Sequence, residues 1–157
     1  VSFSIATETP LSDDVRALVS ALNTWALDQT PREFTHHMTV DQMSQADTTV
    51  FIARDASGKA IGMGALKRHG DGLGEVKRMY TMPDARSSGL AGQIVAKIEN
   101  TARQEGLQRL ALETGAVPGF AAAWRVYERA GFQRCGAFLD YPPDSPHNIY
   151  YEKLLTV

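Results

Sequence analysis

The chain has 157 residues, a length that fits a single domain (1–157) with a self-sufficient core. Hydrophobic residues are 43% and charged residues 22% of it, which excludes a disordered chain. A net charge of -2 and a pI of about 6.1 give no whole-molecule pull toward nucleic acid or an anionic membrane, although a local basic patch remains able to bind phosphate. The lone cysteine, Cys135, excludes an intrachain disulfide and a cysteine-rich metal site, in keeping with a reducing cytoplasm. Val1–Pro10 holds no basic cluster followed by an apolar run, and no stretch is long and apolar enough to cross a bilayer. The expectation is therefore a cytoplasmic protein without a secretory signal or membrane span.

In chain order, Ser2–Thr7 alternates as a first strand. Ser12 is placed to cap a helix whose first turn carries Asp13 and Asp14, and Val15, Leu18, Val19, Leu22 and Trp25 give it one apolar stripe through about Asp28. Pro31 breaks that pattern, and Phe34–Ala46 reads as a loop with a short helix near Val40–Gln45. Thr48–Arg54 and Ala60–Arg68 form a hairpin about the turn Asp55-Ala56-Ser57-Gly58. After the glycine-rich His69–Gly74, Glu75–Met82 is a strand ended by Pro83. Ser88–Glu105 is a helix closed by Gly106, and Gln108–Glu113 a short apolar strand. Phe120–Ala130 is a helix closed by Gly131, and Phe132–Leu139 and Asn148–Leu155 are strands joined by the proline-rich Tyr141–Pro146. The order is β-α-(α)-β-β-β-α-β-α-β-β, antiparallel hairpins followed by a strand–helix–strand crossover, hence a parallel pair inside a mixed sheet.

The segment between Met82 and Gly92 carries the clearest chemistry. A strand stops at a proline, and the small residues Ser87, Ser88, Gly89, Ala91 and Gly92 open a helix with uncovered backbone N–H groups. Such amides form an anion site reinforced by the helix dipole, and Arg86 adds forked donors suited to phosphate. Alone, the pattern Arg-x-x-Gly-x-Ala is weak and fits an ordinary turn. Downstream, Val126-Tyr127-Glu128-Arg129-Ala130-Gly131-Phe132 ends another helix and opens a strand. With both segments in order, the chain resembles the GNAT superfamily of N-acetyltransferases, which places Arg/Gln-x-x-Gly-x-Gly/Ala between its fourth strand and third helix and Tyr-Glu-x-x-Gly-Phe at the end of its fourth helix. Ala91 stands where the family often has glycine. The resemblance covers nearly the whole chain and implies a mixed α/β fold. Its mostly antiparallel central sheet would be splayed at a parallel pair and flanked by about four helices.

The resemblance further implies acetyl-CoA as co-substrate. The backbone of Met79, Tyr80 and Thr81 would line the acetyl and pantetheine arm, and Arg86, Ser87, Ser88, Gly89, Leu90, Ala91 and Gly92 would wrap the pyrophosphate. Many relatives carry an asparagine after the fifth strand, on the pantetheine arm; here Thr114-Gly115-Ala116-Val117-Pro118-Gly119 has none. Acetyl transfer to an amine by direct attack, through a tetrahedral intermediate, needs a proton acceptor, an oxyanion donor and a proton for the departing thiolate. Tyr127 is the candidate acid, since a phenol of pKa about 10 stays protonated at neutral pH. Its spacing on the stripe Ala123-Val126-Tyr127-Ala130 by itself favours packing, and the resemblance reverses that in favour of the acid. By analogy with the histone-modifying branch, Glu75 is the candidate base; its plainer reading is a strand carboxylate paired with Lys77. Glu113 is the rival base or an amine-binding carboxylate, and the N–H near Tyr80 or Thr81 the oxyanion donor.

Other residues have plainer readings. The adjacent His36 and His37 fit solvated surface, or a loop lining the acceptor pocket, and no histidine pair has metal spacing. Cys135 and the i, i+4 pair Phe120 and Trp124 fit packing. Arg125 and Arg129 face either solvent or the 3′-phosphate of coenzyme A, and Tyr141-Pro142-Pro143 stiffens the acceptor mouth. The expected acceptor is a primary amine of a small or amino-acid-like molecule, with a protein N-terminus or lysine as alternative and a homodimer as the family-level expectation. A non-catalytic acyl-CoA sensor on the same scaffold would need neither Tyr127 nor Glu75. A nucleotide-binding P-loop would need Lys-Ser/Thr after its glycines, which Gly89-Leu90-Ala91-Gly92-Gln93 lacks.

Overall fold

Runs of β-branched and apolar residues broken by glycine-bearing turns assemble one seven-stranded sheet, seen in a computed structural model that describes residues 2–31 and 37–155. The elements are β1 (Phe3–Thr7), α1 (Asp13–Gln29), α2 (Val40–Met43), β2 (Thr48–Asp55), β3 (Ala60–Arg68), β4 (Leu73–Thr81), α3 (Leu90–Gln104), β5 (Arg109–Gly115), α4 (Ala121–Arg129), β6 (Gln133–Cys135) and β7 (Asn148–Leu154). The strands lie in the order β1-β2-β3-β4-β5-β7-β6. Every neighbouring pair is antiparallel except β4 and β5. The expected mixed sheet with one parallel pair and four flanking helices is therefore the observed fold.

Two apolar clusters cover the two faces of the sheet. On one, α1 presents Val15, Leu18, Val19 and Leu22 to Val50, Ile52, Met63 and Ala65. On the other, α3 presents Leu90, Ile94, Val95, Ile98 and Ala102, each at most 1% exposed, to Leu66, Val76, Leu110 and Leu112. Burying each Leu, Ile or Val of that stripe contributes roughly 1.5–3 kcal/mol. Where α3 crosses β3 there is no room for a side chain: a Cβ on Gly64 would sit 2.7 Å from Ile94 Cγ2 and 2.5 Å from Met79 Sδ.

Several boundaries differ from the sequence reading. β4 begins at Leu73, and α3 begins at Leu90 rather than Ser88, because Gly89 takes a left-handed φ of 81° as its N-cap. A 3-10 turn, Pro118–Phe120, precedes α4. Ser12 does not cap α1; its hydroxyl lies 2.9 Å from Asp14 Oδ1 instead. The expected strand Phe132–Leu139 shrinks to β6 because Phe138 turns inward onto Ala111 and Tyr150 and Leu139 adopts a left-handed φ of 51°. Among the described residues no helix is long and apolar enough to cross a membrane.

The close approach at Gly64 yields a stability prediction. Gly64→Val should cost about 1–3 kcal/mol by overpacking, read as a lower urea midpoint; an unchanged midpoint would mean α3 is not seated on β3 as described.

Candidate active site

The parallel contact between β4 and β5 is short: Leu73, Gly74 and Glu75 pair with Arg109, Leu110 and Ala111, and the strands then part. β5 stays laddered to β7 through Gly115, so the gap opens between β4 and β5. A cavity of about 960 Å³ runs along this gap, reaching the start of α3 and α4 on one side and α1 on the other. Its wall includes Met79, Tyr80, Thr81, Arg86, Ser87, Gly89, Leu90, Ala91 and Gly92.

At the end of β4, Pro83–Ala85 forms a 3-10 turn, and Ser87 and Gly89 take left-handed φ values of 66° and 81°. The first helical bond of α3 runs from Gln93 N to Gly89 O, at 3.2 Å. The N–H groups of Gly89, Leu90, Ala91 and Gly92 therefore have no helical acceptor and sit at the positive end of the helix dipole. A Cβ on Gly89 or Gly92 would meet nothing within 4 Å, so the space before these amides is open. Leu90 sends its side chain into the core at 1% exposure and offers only its backbone. Arg86 lies 5.9 Å over the Tyr80 ring and donates from Nε to Thr81 O at 3.1 Å. Ser88 is not on the wall; its hydroxyl donates to Ala85 O at 2.6 Å and holds the turn. The donor set fits a pyrophosphate.

A bulge in β4 decides which side chains face which side. Met63 pairs with Tyr80 and Ala65 with Lys77, so Arg78 and Met79 together oppose Gly64. Arg78 takes a left-handed φ of 56°. Glu75 and Lys77 point to the α1 face with Ala65, Arg78 joins them by bonding Asn23 of α1, and Met79 turns to the α3 face. Glu75 is 2% exposed, with Oε1 2.9 Å from His69 Nε2 and Oε2 bonded by Lys77 Nζ (3.2 Å) and the Tyr141 hydroxyl. Glu113, two residues beyond Ala111 on β5, lines the same cavity and accepts one hydrogen bond, from Asn148 Nδ2 at 2.7 Å. Burial pushes its carboxyl above the usual carboxylate range, and the charge of Glu75 adds to that, against the opposing hydrogen bond of Asn148. Tyr127 comes from α4, across the gap; it is 5% exposed, lines the cavity, and burial raises its phenol far above the ordinary range, aided by the Glu113 charge.

The structure thus brings Tyr127, Glu75 and Glu113 to one cavity from opposite faces of the sheet. Arg78 and Tyr141 line the same cavity, and His69 and Asn148 bond Glu75 and Glu113; of these four the sequence singled out only Tyr141, as part of a stiff loop. Arg78 meets Asn23 of α1 and Asn148 meets Glu113 of β5, contacts across the fold that no local pattern marks, while His69 meets Glu75 within the β3–β4 connection. His37 lines the cavity, and His36 lies outside the described residues. Arg125 and Arg129 also line it. Phe120 lies edge-on to Trp25 of α1, 4.9 Å between centroids, and Trp124 donates from Nε1 to Gly115 O at 2.9 Å. Thr114, Gly115, Gly119 and Phe120 form the wall where many relatives have the asparagine.

The anion seat can be tested by charge alone. Gly92→Asp introduces no clash, and an acidic residue suits the first turn of a helix. Folding should be unaffected, whereas the dissociation constant for coenzyme A should rise at least about tenfold through repulsion of the pyrophosphate, measured by calorimetry; unchanged affinity would place the phosphates elsewhere.

Known proteins share this architecture. The profile described as "Acetyltransferase (GNAT) family" matches residues 19–132. A protein of Azospirillum brasilense named IAA acetyltransferase is 36% identical over 153 residues, 97% of each chain. A crystal structure from Klebsiella pneumoniae, provisionally named an acyl-CoA N-acyltransferase, superposes with a TM-score of 0.80 at 32% identity over 98% of both chains. A Bacillus anthracis structure, provisionally named streptothricin acetyltransferase and solved in complex with acetyl coenzyme A, has a TM-score of 0.62 at 21% identity over 78% of this chain and 70% of its own. With open amides at the start of α3, a splayed β4–β5 pair and these likenesses together, the chain belongs to the GNAT family and is an N-acetyltransferase that uses acetyl-CoA.

Proposed function

We propose that this acetyltransferase modifies the primary amine of a small, amino-acid-like molecule by direct attack, with Tyr127 as the acid and Glu113, rather than Glu75, as the base. The observation that carries this reading is the cavity between β4 and β5, with the open amides of α3 and Tyr127 on one side and two carboxylates on the other. The acceptor side is walled by Trp25 and Leu22 of α1, by Phe120, and by Tyr141. Such walls favour a small molecule over a protein segment laid across the surface.

Acetyl-CoA, when bound, supplies an activated acyl group and a thiolate leaving group. The chain's own groups account for the protons. Only a neutral amine attacks, so a group in the cavity must take a proton from the ammonium. Both oxygens of Glu75 are already engaged by His69, Lys77 and Tyr141, which leaves no oxygen of Glu75 open to the amine. Glu113 has one oxygen held by Asn148 and is raised by burial, the condition that suits a base near neutral pH. Asn148 is oriented for this by Ser145, whose hydroxyl donates to its Oδ1. Tyr127, protonated throughout the neutral range, gives its phenolic proton to the departing sulfur. The backbone N–H near Tyr80 or Thr81 serves the developing oxyanion.

Two measurements test these roles. Tyr127→Phe should lower kcat about 10²–10⁴-fold while leaving coenzyme A affinity nearly intact; wild-type turnover would remove Tyr127 from the reaction. The pH profile of kcat/KM should fall on the acid side as the base takes up a proton. Because Glu113 is raised, that limb should lie above the ordinary glutamate value of about 4.3. Glu113→Gln should abolish the limb and Glu75→Gln should keep it. The opposite result would assign the proton to Glu75.

A further inference from the structure

Among the described residues, two buried side-chain polar atoms have no hydrogen-bond partner: Arg78 Nε and Thr30 Oγ1. Both residues line the same cavity. Arg78 is 8% exposed and Thr30 5%. The Arg78 guanidinium is held by a neutral partner only, donating from Nη2 to Asn23 Oδ1 of α1. No carboxylate pairs with it among the described residues. Burial draws its pKa down to about 10, so it remains a cation at neutral pH.

The position is costly twice over. A bulge residue with left-handed φ is the usual place for glycine, and here an arginine is held there at φ 56°. A buried guanidinium without an anion is also unfavourable. Strain kept at a cavity wall points to a use for the side chain. The carboxylates that share the cavity are committed elsewhere: Glu75 to His69, Lys77 and Tyr141, Glu113 to Asn148. The phosphates of the cofactor are not the missing partner either, since their seat opens α3 on the other face of the sheet, whereas Arg78 faces α1.

We propose that Arg78, backed by Asn23, receives a carboxylate of the acceptor, so that the substrate is an amine that also bears an acid group. The inference rests on the reading of this cavity as the site of amine acetylation and names the acceptor's chemical class. An amino acid is then held at both ends: its carboxylate on the α1 wall by Arg78, its amine toward Glu113. The bidentate fork of arginine matches a carboxylate, and a neutral amide or a decarboxylated amine would leave the buried cation unpaired.

The test is a panel of common amino acids, each with its amide and its decarboxylated amine, assayed by thiol release from acetyl-CoA. The acid-bearing members should be preferred by about tenfold to 10²-fold in kcat/KM, mostly through KM, as expected for loss of one charged hydrogen-bonded contact. Arg78→Gly relieves the backbone, so its thermal midpoint should not fall and its coenzyme A affinity should be unchanged while the preference disappears. Arg78→Lys, which keeps a charge without the fork, should retain part of the preference. Equal use of acids and amides by the wild type, or a preference that survives in Arg78→Gly, overturns the assignment to Arg78 and leaves acetyl transfer to small amines standing. A tenfold loss of coenzyme A affinity in Arg78→Gly would assign the cation to the cofactor instead. Thiol release from no member of the panel would overturn the small-amine reading, and this inference with it.

Discussion

The brevity of the β4–β5 contact governs the site. A parallel pair joined only through Leu73–Glu75 and Arg109–Ala111 leaves the rest of β4 with a free inner edge. β5 cannot follow it, because its other edge is laddered to β7 as far as Gly115. β4 cannot follow either, because it remains paired to β3 up to Thr81 and packed beneath α3. Two strands tied to different neighbours must part, and the parting makes a cavity that reaches both faces of one sheet. Unpaired backbone in such a gap is satisfied by water or by a ligand.

The bulge at Arg78 turns that gap into a site with two sides. One extra residue in β4 reverses the parity of the strand, so that Glu75, Lys77 and Arg78 share the α1 face while Met79 joins the α3 face. Charge is thereby gathered on the side facing α1, and open amides and a protonated phenol on the other. The two carboxylates differ in how they are held because their neighbours differ. Glu75 has both oxygens engaged by His69, Lys77 and Tyr141, and Glu113 has a single amide donor and more desolvation than compensation. Tyr141 ties the β6–β7 loop to this arrangement by bonding both Glu75 and Lys77, so the rim of the cavity is anchored to the chemistry at its floor.

Features that depend on neighbours along the chain could be read from the residues in order. The apolar stripes of α1 and α3, the hairpin of β2 and β3 and the crossover from β4 to β5 were legible as periodicities. The uncovered amides at the start of α3 were legible too, since Gly89, Ala91 and Gly92 leave them open within one turn. Boundaries slipped where conformation follows packing: β6 stops early because Phe138 is drawn onto Tyr150 and Ala111, a contact no local pattern encodes. The bulge, the partners of Glu75, the desolvation of Glu113 and the absence of a carboxylate partner for Arg78 among the described residues came only with the folded chain. These arise where β4, β5, β7 and α1 converge, and a proton affinity or an unpaired cation is a property of that convergence rather than of any residue read in line.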